Sequence, residues 1–218
     1  MTALESYQFV QNRLNRLSTN YGDNIPKYQF VEAFNAAQLH WCEDRFKIDQ
    51  TNITRKDEIQ RLIVDTNIKQ LVSKDNYYEL DLPEDYLHYI RSISLTPCPV
   101  YNFLKKEGDI NRLLLDEFWK PSLEWQETIC TIKDSKLRIY VDNFTIESVN
   151  LIYYRFPIPI NLSTGYNDVN GTATFNQDPE FKGSSLLEIL NLTCQLISGD
   201  TSDQWGYQVH TQRNQQHT

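Results

Sequence analysis

The chain has 218 residues, 40% of them hydrophobic and 23% charged, which places it among globular proteins with enough apolar material for a core and outside the disordered class. Its 29 acids outnumber 21 Lys and Arg, a formal charge of −8, so a basic face for neutralising phosphates is not expected. Seven glycines and one methionine argue against linker-like, collagen-like and glycine-loop nucleotide-binding classes.

In chain order, Leu4, Tyr7, Val10, Leu14, Leu17 and Tyr21 recur every three or four residues, one stripe of an amphipathic helix that Gly22 and Asp23 break. Asn24 and Pro26 then suit a cap and a first turn, and Phe30, Phe34, Ala37 and Trp41 line a second helix running to about Phe46. Thr54 with Asp57 is a variant capping box. Ile59, Leu62, Ile63 and Thr66 predict a third helix that ends near Val72. From Asp75 the pattern changes. Tyr77, Tyr78, Leu80 and Leu82 read as a short strand closed by Pro83, and 86–95 as a second run ended by Pro97 and Pro99. Residues 107–118 read as a short helix. Residues 127–133 and 136–141, separated by Asp134 and Ser135, predict a hairpin, with 148–154 as a further strand.

Residues 156–175 read as extended and irregular. Asp178 and Pro179 then open a helix with Leu186, Leu187, Leu190, Cys194 and Ile197 as its stripe and Gly199 as its end. The last stretch, 203–216, has only Trp205, Tyr207 and Val209 as sizeable apolar groups, so a partner must complete it if it is to be ordered. The expected class is α+β with a mostly helical core, a mixed or antiparallel β middle and an extended arm. It is one domain over 1–218, divided into N-terminal helices (1–73), a β-rich middle (76–155), an arm (156–177) and C-terminal helices and tail (178–218).

Chemistry-bearing patterns are sparse. Cys42, Cys98, Cys130 and Cys194 lie far apart without ligand spacing, so buried reduced thiols are expected and no metal or cofactor is. His40, His88, His210 and His217 form no ligand pair, and the phosphate-loop, dinucleotide and nucleophile-elbow motifs are absent. The doublets Glu43-Asp44, Asp57-Glu58, Glu84-Asp85 and Asp116-Glu117 diverge by about 100° per residue on a helix, too far to flank one substrate bond. Tyr77, Tyr78, Tyr86, Tyr89, Tyr153 and Tyr154 could stack on sugars, yet aromatic residues in strands ordinarily pack inside the fold. No apolar run reaches the ~20 residues that span a bilayer. The opening MTALESYQFVQNRL lacks the pattern of a secretory signal, so a soluble protein made in a cytoplasm is expected.

Three stretches together resemble a known family: FVEAFNAAQLHWCEDRF (30–46), YYELDLPEDYLHYIRSISL (77–95) and DPEFKGSSLLEILNLTCQLISGDTSDQWGYQVHTQRNQQ (178–216). In layout the chain is similar to the head–tail adaptor proteins of tailed bacteriophages, above all to the ring proteins of crAss-like phages. The resemblance implies a non-enzymatic virion protein, synthesised in the host cytoplasm, that forms a closed homo-oligomeric ring of about twelve copies at the head–tail junction. The portal protein and adjacent neck or tail rings would be its partners, and double-stranded DNA would pass through without specific binding. The family's C-terminal segment docks on the portal, which by position falls to Trp205, Tyr207, Val209, Gln212 and Arg213. The β middle is larger than in the simplest helical adaptors. Independently of the resemblance, residues 156–218 carry two cations against six acids, and a negative lumen would repel phosphate. The long irregular segment suits an arm reaching a neighbouring subunit, anchored by Phe156, Ile158, Ile160 and Phe175. A carbohydrate- or protein-binding module and an enzyme without a recognisable signature are the alternatives.

Overall fold

The structure, a computed structural model, describes residues 1–17, 25–49, 56–162 and 175–200. The chain is α+β and divides into two compact units. One comprises Met1–Arg61 with Pro157–Thr218, the other Leu62–Phe156. The division falls at Leu62, ahead of the boundary near residue 73 that the pattern suggested.

The first unit is helical. Helix α1 (Ala3–Leu17) begins in a reciprocal box, where the Glu5 amide donates to Thr2 Oγ1 at 3.2 Å and the Thr2 amide to Glu5 Oε2 at 2.9 Å. Helix α2 (Lys27–Asp49) buries Phe30, Phe34, Ala37 and Trp41, the face its periodicity marked. Helix α5 (Ser184–Asp200) packs on both and buries Leu186, Leu190, Cys194 and Ile197, while Leu187 is exposed. It starts later than Asp178 because that carboxylate caps a different helix: its Oδ1 accepts from the Ala3 amide at 2.8 Å. The left-handed Gly183 (φ 65°) then turns the chain into α5.

The third helix is short. Residues Lys56–Ile59 (α3) are helical and Gln60–Leu62 form a 3-10 turn, but Ile63–Ile68 is a strand, β1. Ile59, Leu62, Ile63 and Thr66 fit a helical spacing, yet Val64, Thr66 and Ile68 also alternate with polar or exposed neighbours. Pairing with a long partner strand selects the second pattern.

The second unit is one sheet of eight strands: β1, β2 (Val72–Ser73), β3 (Tyr77–Asp81), β4 (Tyr86–Leu95), β5 (Pro99–Leu104), β6 (Glu127–Lys133), β7 (Lys136–Tyr140) and β8 (Ser148–Arg155). Their order is β1-β8-β4-β5-β6-β7-β3-β2, antiparallel throughout except for β5 and β6. The two edge strands are consecutive in sequence, joined only by Lys69, Gln70 and Leu71. Four peptide links span at most about 15 Å, whereas eight flat strands would be roughly 33 Å wide. The sheet must therefore curl until its edges approach. Its core agrees, because Leu80, Leu137 and Ile139 at one end of the order cluster with Val149, Leu151 and Tyr153 near the other. This barrel-like sheet, and not the helices alone, holds a large part of the buried apolar surface, so the expectation of a mostly helical core is corrected.

The predicted hairpin is present. Asp134 and Ser135 both take left-handed φ (53° and 59°), the two-residue turn that matches strand twist. Strand β5 escaped the pattern because Pro99 lies inside it. Pro99 is its first residue, where the missing N–H costs the ladder least.

Candidate interaction surface

The inward face of β4 and β5 carries a buried polar network. Asn102 Nδ2 donates to Ser92 Oγ and Ser94 Oγ donates to Asn102 Oδ1, both at 2.9 Å. The Tyr89 hydroxyl lies 2.9 Å from Ser92 Oγ and 3.6 Å from Cys130 Sγ. Burial pushes the Cys130 thiol up to about 11 and raises the Tyr89 hydroxyl too, so both keep their protons. With protonated members only, this network fixes strand alignment and supplies no activated nucleophile.

A second buried constellation belongs to the helical unit. Arg45, 5% exposed, pairs through Nη2 with Glu188 Oε2 and through Nε with Glu58 Oε2 at 3.2 Å. Trp41 Nε1 donates to the same Glu188 oxygen at 2.8 Å, and the guanidinium lies 5.2 Å over the Trp41 ring. Its charges are matched internally. Burial first, then Glu180 and Glu43, push the adjacent Cys42 thiol up to about 12. Of the other groups considered from sequence, His40 pairs with Asp44 at 3.4 Å on the surface and His88 is exposed. Asp85 Oδ1 accepts from the Tyr153 hydroxyl at 2.8 Å. Tyr153 is buried against Tyr86, with ring centroids 5.7 Å apart, which is packing and not a sugar platform. Among the described residues no group of three His, Cys, Asp or Glu side chains is placed to hold a metal ion.

The feature that packing does not explain is on the outer side of β5. Helix α4 (Ile110–Leu115) follows a 3-10 turn, and Ile110 covers Ile129 and Tyr140. The chain then leaves the sheet with Leu115 82%, Phe118 95% and Trp125 77% exposed. Trp119, and Tyr101 and Phe103 on β5, are also exposed. A backbone bond and a cation–ring contact bring these segments together: the Tyr101 amide donates to the Gln126 carbonyl at 2.8 Å, and Lys105 Nζ lies 4.0 Å from the Trp119 ring centroid.

The loop has a hydrogen-bonded frame of its own. Asp116 Oδ1 accepts from the Phe118 amide at 3.0 Å, and the Asp116 carbonyl accepts from Trp119 and Lys120. Ser122 Oγ accepts from the Trp125 amide at 3.2 Å, Ser122 and Glu127 exchange backbone bonds at 2.9 and 3.2 Å, and Pro121 is buried. Large apolar side chains are thus held outward by an ordered backbone, the arrangement of a surface prepared for contact. Sequence reasoning missed it, extending a helix to Phe118. The available signal was the cluster FW and W within an aperiodic, proline-interrupted, acidic stretch, which cannot be the buried stripe of any regular element.

The predicted arm is partly tied down. Phe156, Ile158 and Phe175 are exposed, but Ile160 is 2% exposed and buried in its own unit, so it is not an anchor free for a neighbour. Asn35 Oδ1 accepts from the Ile160 amide at 2.9 Å, Gln38 Nε2 donates to the Ile158 carbonyl at 3.0 Å, and Asn161 and Gln177 exchange backbone bonds. The span from 163 to 174 lies outside the described residues. So do Trp205, Tyr207, Val209, Gln212 and Arg213, with His210 and His217. Compared with known proteins, the chain matches no family model and no curated protein. Among the described residues no helix is long and apolar enough to cross a membrane.

Proposed function

We propose that this chain is a structural protein of a phage neck, assembling as a homo-oligomeric ring of about twelve copies between portal and tail around the path of the ejected genome. The reading rests on the resemblance in layout. The observation that best supports it is the exposed aromatic surface of β5 and residues 115–125, which suits lasting contact with another protein of the neck. The −8 charge is compatible with a conduit that repels DNA phosphates. On this reading Trp205, Tyr207, Val209, Gln212 and Arg213 dock on the portal, and Phe156, Ile158 and Phe175 are free to meet a neighbouring subunit. Native mass measurement of the chain, alone and with a portal, tests it: one closed stoichiometry or a portal complex is expected, and a monomer that joins neither is the contrary result.

A binding module is the second reading, because the exposed Trp125 and Tyr101 rings would also suit a sugar face. A glycan array probed with the chain and with Trp125→Ala separates the two, since the ring reading predicts no ring-dependent glycan signal.

A further inference from the structure

Each exposed aromatic residue of the loop follows acids in sequence: Asp116 and Glu117 precede Phe118 and Trp119, and Glu124 precedes Trp125. Between 115 and 127 four exposed acids, with Glu127 as the fourth, stand against Lys120, and Lys105 just past β5 lies against the Trp119 ring. The surface is therefore apolar at its centre and negative around it.

We propose that this surface docks a different protein through a cationic, apolar-pocketed groove, with Phe118 and Trp125 as the inserted anchors. The charge distribution selects that occupant over a second copy. Two copies meeting by this face would set Asp116, Glu117, Glu124 and Glu127 against one another, a repulsion that contact areas of this kind do not tolerate. Arg45 is buried with Glu58 and Glu188, and Arg138 pairs with Glu79 and Glu107, whereas Lys69, Lys74, Arg91 and Lys106 are exposed, so contact of this face with a different face of a second copy is the alternative that sedimentation distinguishes below. An anionic lipid surface is disfavoured by the same four acids. Aromatic anchors supply most of the energy of such contacts, and the acidic rim sets approach and partner choice. The inference holds whether or not the chain sits in a phage neck.

The test uses the full chain and two amphipathic helical peptides as probes, one of Leu and Lys, the other of Leu and Glu, at low and high salt. The Leu/Lys peptide is expected to shift the tryptophan emission to the blue and to bind more weakly as salt rises. Phe118→Ser with Trp125→Ser, which leaves the charge unaltered, should weaken its binding at least about tenfold. Asp116→Lys with Glu124→Lys should weaken it similarly and admit the Leu/Glu peptide. Equal binding of both peptides, or unaltered binding by the Phe118/Trp125 variant, overturns the proposal. An oligomer in sedimentation that the Phe118/Trp125 variant dissolves would assign the face to a second copy. A blue shift on neutral phosphatidylcholine vesicles would assign it to lipid. Either result overturns it.

Discussion

The helical unit buries charge and the sheet unit displays apolar surface, the reverse of what each residue type prefers. In the first, Arg45 is enclosed with Glu188, Glu58 and Trp41. The charges pair with one another inside the unit. In the second, Phe118 and Trp125 project from a loop whose backbone is hydrogen-bonded to Asp116 and Ser122, and the side chains themselves meet no core. The contrast shows where each unit spends its unusual residues. Buried charge in the helices lies within the fold, and exposed aromatic surface on the sheet is what the proposed docking would use.

Breaking the helical side should have the largest effect. Arg45→Ala leaves Glu188 and Glu58 without their cation and should cost about 3–5 kcal/mol in urea unfolding. Arg45→Met with Glu188→Gln and Glu58→Gln removes all three charges, keeps an acceptor for Trp41 Nε1, and should lose much less. An equally large loss in the triple variant would show that volume, not charge, holds the site. Next comes the polar network inside the sheet. Asn102→Ala takes the acceptor from Ser94 and the donor from Ser92, a loss of about 1–3 kcal/mol by thermal unfolding, with Ser94→Ala in the same background restoring part of it.

Alkaline pH probes both units through their buried thiols. Cys42 and Cys130 are raised from an ordinary 9.0 to about 12 and about 11, so the folded state holds protons that the unfolded chain releases first. Their contribution is complete below pH 9 and declines as pH rises through 11 to 12. Unfolding at a series of pH values should show stability falling in that window, and Cys130→Ala should flatten its lower part. The smallest effect on stability belongs to the surface. Phe118→Ser with Trp125→Ser should alter unfolding by no more than about 0.5 kcal/mol, because neither side chain is in the core. A large loss would return these residues to packing and erase the contrast between the units.

Sequence periodicity located the helices whose faces are buried by neighbours, as Phe30, Phe34 and Trp41 show in α2. It located the β6–β7 hairpin because Asp134 and Ser135 tolerate left-handed backbone. It failed where tertiary pairing decides between two periods, as at Ile63–Ile68, and where a local donor prefers a remote partner, as Asp178 does in capping α1. Curling of the sheet was not legible, since it follows from β1 and β2 becoming opposite edges three residues apart. Of the surface, only the arm residues Phe156, Ile158 and Phe175 were anticipated as exposed anchors. Exposure at 115–125 has no period to read; its signal in the sequence was the aromatic cluster in an aperiodic, acidic stretch.

The central claim is that the outer face of β5 with residues 115–125 is the surface through which this chain works. Hydroxyl-radical footprinting of the free chain and of its native assembly tests that most directly. Phe118, Trp119 and Trp125 should be labelled readily in the free chain and strongly protected in the assembly, while exposed residues away from the face, such as Tyr28, keep the same labelling. Equal labelling of Phe118 and Trp125 in both states would contradict the account.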